Sequence, residues 1–208
     1  MELKHASLFA GIKAWDVRNF YRINGWHGKL ASLLKYYTHV GSTPFWVVVL
    51  VGLFVFSWIS GSTVGWAFWR YAVSNTTSIA VVLLIKIKIN RKRPCEVLEN
   101  VVVRTPPRFY RGSSFPSGHV QYFFSNLLLL SMVLSWNLAY AWTWMLPITF
   151  FLSAVIALSR VYVGVHYPTD VLASFVSGFL IYLLTLFVTF PLWNLVFTAL
   201  RGFFQAPG

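Results

Sequence analysis

Five runs of apolar residues divide the chain: residues 44–60, 64–86, 118–136, 139–159 and 169–190, the last extending towards Leu200. Each is long enough to cross roughly 30 Å of hydrocarbon, which takes about 20 helical residues. The second is interrupted by Arg70 and by the polar stretch from Ser74 to Ser78. Backbone N–H and C=O groups find no partner in lipid, so every run predicts a helix. Residues 8–37 follow a different pattern, in which Leu8, Phe9, Ile12, Trp15, Phe20, Tyr21, Ile23 and Trp26 alternate with charges at helical spacing. That predicts an amphipathic interfacial helix within residues 1–40, lying in the headgroup layer. The alternative is an extramembrane helix packed on the bundle. The expected fold is all-α, a polytopic membrane helix bundle of five transmembrane helices forming one membrane-embedded domain over residues 1–208.

Composition agrees. The chain is 57% apolar and 11% charged, whereas a soluble domain carries about a quarter charged residues. Disorder, collagen and disulfide scaffolds are excluded by the aliphatic and aromatic content and by the single cysteine, Cys95. One thiol fits either side of a membrane, so the redox compartment stays open. Seventeen basic residues against five acidic ones give a net charge of +12, which calls for an anionic partner. Nucleic acid is disfavoured because the basic residues lie between hydrophobic runs, where lipid phosphates are the nearest negative charges. The first 40 residues mix charges with aromatics and show no clean apolar core, so insertion by internal spans is expected rather than a cleaved signal peptide.

Residues 87–117 form a long polar connection containing Pro94, Pro106, Pro107 and Pro116, and eight basic residues lie between Lys86 and Arg111. A connection of this length without a clear helix is usually functional, and it is expected to grip substrate. Helix parity then gathers three scattered groups on one side of the membrane: Lys86 to Arg93, Pro116 to His119, and Arg160 to Asp170.

The first group reads Lys86-Ile-Lys-Ile-Asn-Arg-Lys-Arg93-Pro94. Basic residues at a helix end can simply snorkel to the interface, but Arg93, held by Pro94, offers a fork suited to phosphate oxygens. The second, Phe115-Pro116-Ser117-Gly118-His119, describes a turn feeding a helix N-terminus, where N–H groups and the dipole attract an anion. A plain N-cap for Ser117 and a spectator role for His119 remain the bland reading. In the third, Arg160 ends the fourth span while His166 and Asp170 are spaced i, i+4 across the start of the fifth. A carboxylate so placed can hold one imidazole nitrogen and leave the other free to attack, although an N-cap role for Asp170 is the alternative. Two histidines and an aspartate could also hold a metal, but the adjacent cations favour a phosphate.

The combined pattern, Lys-x6-Arg-Pro, then Pro-Ser-Gly-His, then Ser-Arg-x5-His-x3-Asp, resembles the type 2 phosphatidic acid phosphatase family. The match by motif runs from Lys86 to Asp170. Members commonly have six spans, which extends the count of five read here to five or six. The resemblance implies a metal-independent, cofactor-free integral membrane lipid phosphatase. His166 would attack phosphorus and form a phosphohistidine, Asp170 would hold its ring, and His119 would serve as acid and then base. Lys86, Arg93, Ser117, Gly118 and Arg160 would bind the phosphate oxygens.

The motifs address only the phosphate, so the lipid is a separate question. Lys88, Arg91, Lys92, Arg104, Arg108 and Arg111 are further cations on the same face, with Tyr110 a candidate interface anchor. Arg104, Arg108, Tyr110 and Arg111 are therefore candidate headgroup contacts, and the surplus favours lipid A 1-phosphate or undecaprenyl diphosphate over phosphatidic acid, with phosphatidylglycerol phosphate a further candidate. The positive-inside rule would place this face in the cytoplasm; the resemblance implies the periplasmic face of an inner membrane, and that orientation is preferred. Rival readings are a lipid phosphotransferase using the same intermediate and a non-catalytic lipid-binding protein. Nothing in the sequence bears on oligomeric state.

Overall fold

The computed structural model describes residues 2–60, 64–105, 112–137 and 140–205. Among these every regular element is a helix or helical turn: α1 Glu2–Asn24, α2 Lys29–Tyr37, a 3₁₀ turn Thr38–Gly41, α3 Thr43–Ser60, α4 Val64–Lys88, α5 Pro94–Val97, α6 Gly118–Asn137, α7 Ala141–Tyr162, α8 Pro168–Leu184, a π turn Thr185–Thr189 and α9 Phe190–Gln205. Three described helical segments are long and apolar enough to cross a membrane alone, at Arg70–Lys88, Trp142–Tyr162 and Pro168–Val196. Lys29–Gly41 and Thr43–Phe56, bent by 56°, make a fourth if taken as one broken span. The third expected run, 118–136, is α6, 20 residues long. It falls short in apolarity for a physical reason: it is the central helix, packed on α7, α8 and α4, and it buries Gln121, Ser125, Asn126 and Ser131.

Gln121 and Asn126 are matched across helices. Asn75 and Asn126 exchange amide hydrogen bonds at 3.1 Å. Gln121 donates to Ser78 Oγ at 3.2 Å and accepts from Ser177 Oγ at 2.6 Å. Small polar side chains that bond between helices let backbones approach closely in lipid. Gly178 marks the tightest approach of α8 to α6: a Cβ there would lie 3.1 Å from Phe124 Cδ1 and 3.2 Å from the Gln121 carbonyl. Phe124 fills the same seam, its ring 5.1 Å from those of Phe150 and Phe175.

The N-terminal segment is two helices rather than one interfacial rod, and α1 carries its faces in an unexpected sense. Asp16, Phe20 and Asn24 are buried, while Phe9, Ile12, Trp15 and Tyr21 are exposed. The helix therefore packs on the bundle through a partly polar face and presents aromatics outward. Asn24 explains the polarity: its amide donates to the carbonyls of Val102 at 2.9 Å and Tyr162 at 3.0 Å, and its Oδ1 accepts from the Val102 N–H at 3.0 Å. It ties the loop segment 101–104 to the end of α7. Gly164, with φ +92°, allows that approach, since a Cβ there would meet the Val102 carbonyl at 3.0 Å.

Candidate active site

Two helices, α5 and α8, begin with the same device. Arg93-Pro94-Cys95-Glu96 starts α5 and Tyr167-Pro168-Thr169-Asp170 starts α8, each with an extended residue before proline. In each the acidic side chain turns back to the extended residue's N–H, Glu96 Oε2 at 2.9 Å and Asp170 Oδ2 at 2.8 Å. The device fixes Arg93 and His166 at the mouths of these helices. The N-terminus of α6 is sewn to α8 as well: the Ser117 N–H donates to Ser174 Oγ at 2.8 Å, and that hydroxyl donates to the Asp170 carbonyl at 2.7 Å. The Ser117 amide is therefore occupied, unlike its hydroxyl. That hydroxyl is buried and has no hydrogen-bond partner among the described residues.

The three sequence groups converge. Arg93 is buried, and its fork spans both walls of the site. Nε donates to the Gly112 carbonyl at 3.2 Å, Nη1 to Val165 at 3.1 Å and Nη2 to Ser113 at 3.4 Å. Nη1 also faces His166 Nε2 at 3.4 Å. Lys86 Nζ donates to the same Ser113 carbonyl at 2.5 Å, so Lys86 and Arg93 meet on one backbone oxygen. Arg160 is buried, with Nη1 donating to Thr38 Oγ1 at 2.7 Å. His119 lies within electrostatic reach of Arg160, His166, Arg93 and His39.

The tautomer of His166 follows from its neighbours. A guanidinium only donates, so the Nε2 that faces Arg93 holds its lone pair inward and the ring proton sits on Nδ1. Nδ1 points towards Asp170 Oδ2, 3.7 Å away. Burial first, and then the charges of Arg160, Arg93 and Lys86, hold His166 well below the ordinary histidine value. The ring is therefore neutral at physiological pH.

Several participants were not anticipated. Arg91 is engaged inside the protein, with Nη1 2.6 Å from Asp170 Oδ1 and Nη2 2.5 Å from Asp16 Oδ2. Thr38 supports Arg160, and Gly41 brings the 3₁₀ turn against α6, since a Cβ there would lie 3.1 Å from the His119 carbonyl and 3.2 Å from its Cβ. Asp16 carried one sequence signal, being among only five acidic residues in the chain. Arg104 does not face the site: it donates to the carbonyls of Tyr162 at 2.7 Å and of Val102 and Trp26 at 3.3 Å, and lies 4.0 Å over the Tyr162 ring. It pins the loop to α7 and α1. Arg108, Tyr110 and Arg111 lie outside the described residues.

The sequence profile of the PAP2 superfamily matches residues 67–193. The chain belongs to the PAP2 superfamily. The matched PAP2 segment holds all three groups and excludes α1, Thr38 and Gly41. Decaprenylphosphoryl-5-phosphoribose phosphatase of Mycobacterium tuberculosis, in two strains, is 33% identical over 99 residues, covering 48% of this chain and 48% of the relative. The chain thus spans about half the length of the curated relatives it matches. Two crystal structures share the PAP2 fold. Aquifex aeolicus LpxE aligns with a TM-score of 0.65 at 24% identity, over 83% of this chain and 94% of that one. The first transmembrane PAP2-type phosphatidylglycerolphosphate phosphatase from Bacillus subtilis aligns with a TM-score of 0.69 at 22% identity, over 84% of each chain.

Proposed function

We propose that this PAP2 protein is a membrane lipid phosphatase that works through a phosphohistidine on His166. The observation that carries the reading is the disposition of that ring, with Nε2 3.4 Å from Arg93 Nη1 and Nδ1 3.7 Å from Asp170 Oδ2. In the proposed cycle His166 Nε2 attacks phosphorus while His119, protonated once the phosphate's negative charge is bound beside it, gives that proton to the leaving lipid oxygen. The P–O bond to the lipid breaks as the P–N bond forms. Neutral His119 then takes a proton from water, whose oxygen attacks phosphorus, and inorganic phosphate leaves with His166 restored. Asp170 stabilises the charge on His166 in the intermediate; its 3.7 Å separation is of the kind that shortens when substrate binds. Arg93, Lys86, Arg160, the Ser117 hydroxyl and the Gly118 amide stabilise the equatorial oxygens, where phosphoryl transfer most needs it. These cations discourage a metal ion in the same space, so no metal or cofactor takes part in the proposed cycle.

A lipid substrate is supported by an apolar groove of about 170 Å³ between α3, α4 and α6, lined by residues including Trp46, Leu50, Ala72, Ile79 and Tyr122. Tyr122 reaches the site's edge, since its ring would lie 3.5 Å from a Cβ at Gly118. We read the groove as the route of the lipid tail. The basic surplus that favoured a multi-anionic headgroup is smaller than the sequence implied, because Arg91 and Arg104 are bonded internally. Lipid A 1-phosphate and undecaprenyl diphosphate remain the preferred candidates, ahead of phosphatidylglycerol phosphate. The mycobacterial relative's name adds a phosphorylated polyprenyl sugar to the panel.

The test is inorganic phosphate release from that panel in detergent, for the native chain and His166→Ala. Native activity that resists EDTA, is inhibited by vanadate and vanishes in His166→Ala supports the reading; release abolished by EDTA overturns it. Label passing to a second lipid instead of to free phosphate would mark a phosphotransferase. We place the site on the periplasmic face of the inner membrane. An introduced N-terminal cysteine, in a Cys95→Ser background, should react with an impermeant thiol reagent from that side.

A further inference from the structure

Asp16 lies outside the three sequence groups and Arg91, inside the first, counts there only as a surplus cation, yet both end in the network behind His166. Among the described acidic residues Glu96 and Glu99 are exposed, whereas the side chains of Asp16 and Asp170 are 1% and 0% exposed. Both buried carboxylates bind the same guanidinium, at 2.5 Å and 2.6 Å. Thr169 closes the ring. Its hydroxyl donates to Asp16 Oδ2 at 2.6 Å, its N–H donates to Asp16 Oδ1 at 2.9 Å, and its oxygen accepts from Arg91 Nη1 at 2.8 Å. The Tyr167 ring supports the guanidinium from one face, 4.1 Å from Cζ.

Two carboxylates out of water need a shared counter-charge, and only a planar fork can serve both at once. Because Oδ1 of Asp170 is bound to Arg91 and Oδ2 receives the Tyr167 N–H at 2.8 Å, the carboxylate cannot rotate away from His166.

We propose that Arg91, held by Asp16, is a positioning pair that keeps Asp170 ionised and aimed at His166, making α1 a wall of the active site. This rests on the phosphohistidine reading. The pair also accounts for a cation beside the site that does not grip phosphate: its charge is already shared between two carboxylates. Asp170, His119, Arg93, Arg160 and Lys86 are the groups that act on the His166 ring, and Arg91 acts on it through Asp170.

The experiment measures kcat, KM and the pH profile of lipid phosphate release for Arg91→Gln, Arg91→Lys, Asp16→Asn, Asp170→Asn and Arg91→Gln/Asp170→Asn, with thermal midpoints for each. Arg91→Gln should lower kcat about 10- to 100-fold, the usual range for losing a partner behind a functional side chain, with KM little changed. It should also move the acid limb of kcat/KM upward, because a buried Asp170 without its counter-charge is protonated, and its support of His166 lost, at higher pH. Asp16→Asn should lose less, and Arg91→Lys should recover part of the loss. In the Asp170→Asn background, Arg91→Gln should add little. If Arg91→Gln does not fold, Asp16→Asn carries the same test through kcat and the acid limb. Native kcat with an unmoved limb, or the same fold-loss with and without Asp170, overturns the proposal. Full activity in His166→Ala overturns instead the reading on which it rests.

Discussion

Replacing Arg93 by lysine keeps the positive charge and removes the fork, so it isolates what geometry contributes to phosphate binding. In the structure the guanidinium reaches three carbonyls on two segments, Gly112, Ser113 and Val165, at 3.1 to 3.4 Å, while still facing His166 Nε2. A lysine ammonium concentrates its donors on one nitrogen and cannot span both segments and a phosphate oxygen. A hydrogen bond from a charged donor is worth about 1.5 to 3 kcal/mol. Losing one that strengthens in the transition state therefore lowers kcat/KM by about 10- to 150-fold. The assay is phosphate release from a phosphorylated lipid in detergent, with kcat and KM separated and the thermal midpoint followed in parallel. Arg93→Lys within about twofold of the native kcat/KM, a difference of only about 0.4 kcal/mol, would refute the fork as the phosphate grip.

The acid limb of kcat/KM should lie below the ordinary histidine value, because burial and the surrounding cations keep His166 neutral to lower pH; Arg160→Gln removes a depressing charge and should move the limb upward. Ala72→Phe fills the groove between α3, α4 and α6 and should raise KM for long-chain lipid phosphates while leaving a short, water-soluble phosphate ester unaffected. Gly178→Val forces a side chain into the seam of α6 and α8, and overpacking of that kind costs about 1 to 3 kcal/mol, read as a lowered thermal midpoint.

The convergence of Lys86, Arg93, His166 and Asp170 was legible in the sequence because two rules bring them together: helices must cross the bilayer whole, and their ends alternate sides. The two Pro-containing helix starts were equally readable from Arg93-Pro94 and Tyr167-Pro168. The N-terminal segment was harder. Its hydrophobic spacing pointed to an interfacial helix, but the face turned to the bundle carries Asp16 and Asn24, whose partners lie far away in sequence at Arg91, Thr169, Val102 and Tyr162. A polar residue on a helix reads as solvated until the group it bonds is known. The same limit put Arg91 in the surplus of cations and Arg104 among the candidate headgroup contacts, since a count of basic residues cannot distinguish a charge facing solvent from one bonded to a carboxylate or a backbone carbonyl. α6 reversed the usual signal: its buried serines, Asn126 and Gln121 lower its apolarity because it is the most enclosed helix, bonded to its neighbours instead of bathed in lipid.

Whether phosphorus passes through the imidazole of residue 166 is decided by rapid quench of the purified protein with a lipid radiolabelled in its terminal phosphate, followed by alkaline digestion and peptide mapping. The account predicts an acid-labile, alkali-stable label on the His166 peptide that forms and decays at the rate of turnover and is absent from His166→Ala. A label on another side chain, or turnover that inverts configuration at phosphorus with no labelled protein, would contradict it.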